Sequence, residues 1–79
     1  MRELSPVQKI ILSYVCLGWK YQKIAEFAQI QHQTVKSMMS IILLKLDVRS
    51  KSEAVEKALK LGIVDMDSIP ESVKNYKSN

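Results

Sequence analysis

The chain has 79 residues, with twelve Lys or Arg against eight Asp or Glu, one Cys and one His, and a formal net charge of +4. That length holds one small domain, which buries only about 60% of its unfolded surface. Cys16 alone cannot form an internal disulfide, and with His32 the single histidine, a Cys- or His-based metal site is excluded too. Oligomerisation is then the remaining route to added stability.

Apolar residues make up 47% of the chain, with only two Gly and two Pro, which argues for a packed, helix-rich domain rather than disorder. No run approaches the roughly 20 apolar residues of a membrane span, the longest mostly apolar stretch being 38–44. The first residues lack the apolar core of a signal peptide. The expectation is a soluble, cytoplasmic protein without membrane association.

Ser5, Pro6 and Gln8 form the first helix signal: an N-cap Ser, Pro at the first position and Gln three residues after the cap. Val7, Ile10, Ile11, Tyr14, Val15 and Leu17 keep helical period until Gly18, a residue suited to the position after a helix. A second helix is expected over 22–28, without a capping residue at Lys20 or Tyr21. A third should span about 32–46, with Val35, Met39, Ile42 and Leu46 as its core stripe. Ser50 and Glu53 read as a second capping box, opening a fourth helix that stops at Gly62. The expected fold is all-α: a four-helix, bundle-like domain over 1–64. Residues 65–79 read as a short polar tail, with a possible further turn capped by Ser68 and running through Val73 and Tyr76.

On the third helix, Gln33, Lys36, Ser37 and Ser40 fall opposite the core stripe. Helix two, a turn of three or four residues and helix three follow the helix-turn-helix plan, in which the second helix reads base edges from its N-terminal residues. The same pattern also describes an ordinary solvated helix face.

A longer series of residues bears on that choice. Leu4-Ser5, Gly18, Ile24-Ala25-Glu26, Ile30, Thr34-Val35-Lys36, Lys45-Leu46, Val48-Arg49-Ser50, Glu53-Ala54-Val55 and Leu61-Gly62-Ile63 occur in order. Over residues 4–64 the series resembles the LuxR/GerE-type helix-turn-helix domain of bacterial transcription regulators, most specifically over 24–55. The resemblance implies a four-helix domain that binds DNA as a dimer, and the 79-residue length leaves no space for a sensor domain, so a stand-alone transcription regulator is expected. The resemblance also implies that Lys36, Ser37 and Ser40 face the major groove, and that Thr34 lies against the DNA backbone. Lys20, Lys23 and Lys51 are candidates for phosphate contact on charge alone.

Several residues depart from the family pattern. Val7 and Gln8 stand where Arg-Glu is usual, and Gln31 where Ser or Thr precedes the recognition helix. Gln29 and Asp47 occupy turn positions that favour φ > 0. Met38 stands where His is frequent, while Ile41 and Leu44 fall at usually polar positions away from the core stripe. Helix four spreads Ala54, Val55, Ala58, Leu59 and Leu61 over about 160°, wider than the ~100° needed to pack on one neighbour. The excess suggests a second contact unless all five pack in the monomer core, and the resemblance implies dimerisation through this helix, with Ala54, Val55, Ala58 and Leu59 as candidates for a homodimer contact. Ile41 and Leu44 are candidates for contact with a partner. The alternative function is a protein-interaction module of the same fold, binding or antagonising another transcription regulator through helix three or helix four.

Cys16 lies in an apolar helix and reads as a small hydrophobic residue, and Trp19 as a cover over a helix junction. His32 reads as an exposed residue near the start of helix three. No nucleophile motif, phosphate-binding Gly-rich loop or metal spacing is present, so neither catalysis nor a cofactor is expected.

Overall fold

The computed structural model describes residues 2–75, and among them every regular element is helical. Helix α1 runs Pro6–Cys16, α2 Tyr21–Ala28, α3 His32–Leu46 and α4 Lys51–Lys60. A single 3-10 turn, Met66–Ser68, and a short α5, Glu71–Lys74, follow. The position expected for Tyr76 lies outside the described residues.

At α1 the Ser5–Gln8 box is complete. The Gln8 amide donates to Ser5 Oγ (3.2 Å) and the Ser5 amide to Gln8 Oε1 (2.9 Å). At α4 only half of the box forms. Ser50 Oγ accepts from the Glu53 amide (3.2 Å), but the Glu53 carboxylate takes the Ser50 hydroxyl (3.4 Å) instead of turning back to the Ser50 amide. Ser68 does not cap the last helix either. Its hydroxyl donates to Asp65 Oδ2 (3.1 Å), and Pro70 stands at the cap of α5. The lack of a side-chain cap on α2, expected from Lys20, is observed, and α2 begins one residue earlier than its apolar pattern suggested.

Helix α3 packs against α1, α2 and α4, so its stripe is the centre of the core. Val35, Ile42 and Leu46 are wholly buried and Met39 nearly so, together with Leu12 of α1, Ile24 of α2 and Ala54 and Ala58 of α4. The helix-turn-helix turn is closed by the Ile30 amide on Ala25 O (3.0 Å), with Gln29 in the left-handed region at φ 59°. Asp47 takes the same conformation after α3, φ 57°. Both were expected at turn positions where Gly is the usual solution.

An aromatic triangle joins α1 to α2. Tyr14 and Trp19 stack at 5.0 Å between ring centroids. Phe27 meets both edge-on, at 5.5 Å from Tyr14 and 5.3 Å from Trp19. Trp19 is thereby buried at the junction it was expected to cover. Beyond α4 the chain lies back on the domain, with Val64 in the core and Ile63, Met66 and Val73 packed against it.

Candidate nucleic-acid interface

The two ends of α3 are treated in opposite ways. At its C-terminus all four otherwise orphaned carbonyls are met. The Val48 amide donates to Leu43 O (3.1 Å), the Asp47 amide to Leu44 O (3.2 Å) and the Arg2 amide to Lys45 O (2.8 Å). Lys57 of α4 places its ammonium on Leu46 O at 2.6 Å, where the helix dipole favours a cation. Lys45 is held as well, donating to Gln8 Oε1 (2.8 Å), so the oxygen that caps α1 also fixes the side of α3.

At its N-terminus α3 has Gln31 at the cap with no side-chain hydrogen bond. The Thr34 and Val35 amides turn back on Gln31 O (3.0 and 3.3 Å), and no side chain caps the helix start, where the dipole favours an anion such as a phosphate. The exposed face beyond them divides along its length. Gln33, Lys36, Ser37 and Ser40 are all exposed in the first two-thirds. Lys36 is the exposed one of the two lysines on α3, because Lys45 is half-buried against Gln8. Ser40 Oγ donates to Lys36 O (3.2 Å), so in this rotamer it offers a ligand acceptor lone pairs rather than its proton. The last third of the face is apolar: Ile41 is 44% and Leu44 66% exposed.

The residues expected near the backbone are distributed around the helix starts. Thr34 is half-buried in the first turn of α3, and Lys20 is exposed at the cap of α2. Lys23 is half-buried with its ammonium 4.3 Å from the Trp19 ring centroid. Lys51, at the start of α4, has its ammonium 5.4 Å from the Tyr21 ring centroid. Tyr21 itself begins α2, and its ring lies 6.3 Å from that of His32, which begins α3 and is exposed. The positive ends of α2, α3 and α4 thus meet around one tyrosine. Sequence reasoning missed this role of Tyr21, because the three helix starts are brought together only by tertiary packing.

The four residues expected at a dimer contact divide into two pairs. Ala54 and Ala58 are fully buried within the single chain, so their methyl groups form core and are withdrawn from any surface offered to a second molecule. Val55 is half-buried and Leu59 is 44% exposed, and these form the outward edge of α4. Only the two alanines of the wide apolar arc are therefore consumed inside the chain, while Leu61, like Leu59, stays exposed.

Cys16 is half-buried, and burial pushes its thiol up, away from the thiolate that nucleophilic or metal chemistry requires. Among the described residues no group of three or more His, Cys, Asp or Glu is placed to hold a metal ion. No helix among them is long and apolar enough to cross a membrane.

A short helix, a left-handed turn and a second helix whose C-terminal end is locked define a helix-turn-helix protein. The chain matches the model of the family described as bacterial regulatory proteins, luxR family, over residues 2–58, and it belongs to that family. Neither a curated protein nor a solved structure matches it.

Proposed function

We propose that the chain is a transcription regulator that binds duplex DNA by laying the N-terminal half of α3 in the major groove, and that it acts as a dimer. The carrying observation is the polar face of α3: Gln33, Lys36, Ser37 and Ser40 stand exposed beside an uncapped helix start. Lys36 is the residue suited to guanine O6 and N7, and Gln33 to adenine N6 and N7. Thr34, Lys20, Lys23 and Lys51 are assigned to the phosphate backbone, which positions the helix without reading sequence. Val55 and Leu59 on α4 are assigned to the partner chain. Two such chains bring two half-sites, one helical turn apart, under one binding event.

Ile41 and Leu44 are the basis of the alternative, a protein-interaction module of the same fold. Membership of a family of regulatory proteins gives that reading no added support. The two side chains continue the reading face by one turn, where an apolar group can also meet thymine methyls.

Selection on random duplexes at two salt concentrations tests the proposal. A recovered consensus, with affinity falling as salt rises, is the expected result. Lys36→Ala should cost about 1–3 kcal/mol on the selected site and flatten its sequence preference. A folded chain that retains no duplex at low salt would overturn the DNA reading.

A further inference from the structure

The tail of the chain reaches the same side of the molecule as the α2 lysines. Trp19, Lys20, Lys23 and Glu26 line a concavity of about 500 Å³ whose far wall is Lys74, the last residue of α5. Lys74 lies outside the residues matched by the family model and more than fifty positions from Lys20 in sequence. Val73, its neighbour, packs against the core and holds the short helix in place. We infer that Lys74 is a DNA-backbone contact, and that Lys20, Lys23 and Lys74 together form a phosphate-binding basin that widens the footprint beyond α3. This rests on the proposed DNA binding.

Three features of the basin support an anionic polymer as its occupant. First, its lining presents three ammonium groups against the carboxylate of Glu26, with Glu71 beside Lys74 as the second acid, and a concave surface with an excess of one sign concentrates the field. Second, Lys23 is kept over the Trp19 ring at 4.3 Å, which fixes its cation at the wall instead of leaving it to sweep through solvent. Third, the basin adjoins, along the chain, the start of α2 that meets the reading helix. Lys20 directly precedes Tyr21, whose ring lies 6.3 Å from His32 at the first position of α3. In a helix-turn-helix the first helix crosses the phosphate backbone while the second enters the groove, so the outer face of α2 is where phosphates pass. Lys74 is also paired with Glu71, but at 3.9 Å and with the carboxylate 78% exposed. A solvated pair of that kind is weak, and a phosphate can replace the carboxylate.

The test is the salt dependence of duplex binding by the full chain, followed by fluorescence anisotropy for wild type, Lys74→Gln, Glu71→Gln and Lys60→Gln. Losing one phosphate contact lowers the slope of log affinity against log salt by about 0.9 per chain bound. Lys74→Gln should show that drop equally on a selected site and on unrelated duplex, because phosphate contacts carry no sequence information. Glu71→Gln should shift affinity in the opposite direction by releasing Lys74. Lys60→Gln, an exposed lysine of α4 away from the basin, should match wild type. A Lys74→Gln slope equal to wild type, with Lys36→Ala still weakening the complex, overturns the basin and leaves the DNA reading intact. Failure of wild type to bind any duplex removes both. Loss of polyglutamate binding by Lys74→Gln, at an unchanged DNA slope, would instead make the basin a docking point for acidic protein and overturn the assignment.

Discussion

Gln29 carries the clearest conformational cost in the chain. It sits at φ 59°, ψ 45° at the end of α2, where a Cβ crowds the following carbonyl by about 1–2 kcal/mol. The turn accepts the cost because the Ile30 amide must reach Ala25 O, and only the left-handed residue between them brings it there. Gln29→Gly should therefore raise stability, by about 1 kcal/mol, as read from the urea midpoint at unchanged slope. Asp47, at φ 57°, should gain less from the same change, since a short polar side chain already tolerates this geometry. Both positions were legible from their neighbours: each follows the last residue of an apolar helical period. Trp19 was legible as a junction residue too, but its partners were not. That Tyr14 stacks on it, Phe27 meets its edge and Lys23 lies over its face depends on α1 and α2 folding together.

At the scale of the helix, α3 combines a rigid end and an open end, and the two serve different purposes. Three separate segments, residue 2, the 47–48 turn and Lys57 of α4, meet its last four carbonyls. This anchors the axis along which the residues proposed to read DNA project. Lys57→Met should leave Leu46 O without its part-buried donor and lower stability by about 1 kcal/mol, measurable by denaturant unfolding. The same variant should retain duplex sequence preference, because the reading residues lie in the other half of the helix. The extent of α3 and its two faces could be read directly from period 3.6. Its locking could not, since Arg2, Gln8 and Lys57 are ordinary polar residues until the fold sets them beside Lys45 and Leu46.

For the whole molecule, the deciding question is how much of α4 remains after the core is filled. The 160° apolar arc overstated the available surface because Ala54 and Ala58, the smallest side chains on it, admit α4 close against the rest of the chain. What remains is Val55, Leu59 and Leu61. In the proposed dimer, Leu59→Asp should separate the chains in sedimentation analysis and weaken duplex binding, while unfolding stability per chain moves by less than about 1 kcal/mol. Ala58→Leu should act differently. It overpacks a fully buried site and should destabilise the monomer itself by about 1–3 kcal/mol. The tail also changes meaning at this scale. It read as a short polar tail, yet Met66 and Val73 pack against the core, and Lys74 is carried to the α2 lysines.

The four main helices, their limits to within about a residue, the turn residues and the polar face of α3 were determined by sequence alone, because each follows from spacing within a few residues along the chain. The order of residues from Leu4 to Ile63 was also enough to indicate the family. Tertiary structure alone decided which apolar residues remain exposed, which lysines are already engaged and which helix ends converge. Those properties belong to pairs distant in sequence: Lys57 with Leu46, Tyr21 with His32 and Lys51, Lys74 with Lys20. Local periodicity carries no information about such pairs, and the charge of +4 became interpretable only once their positions were known.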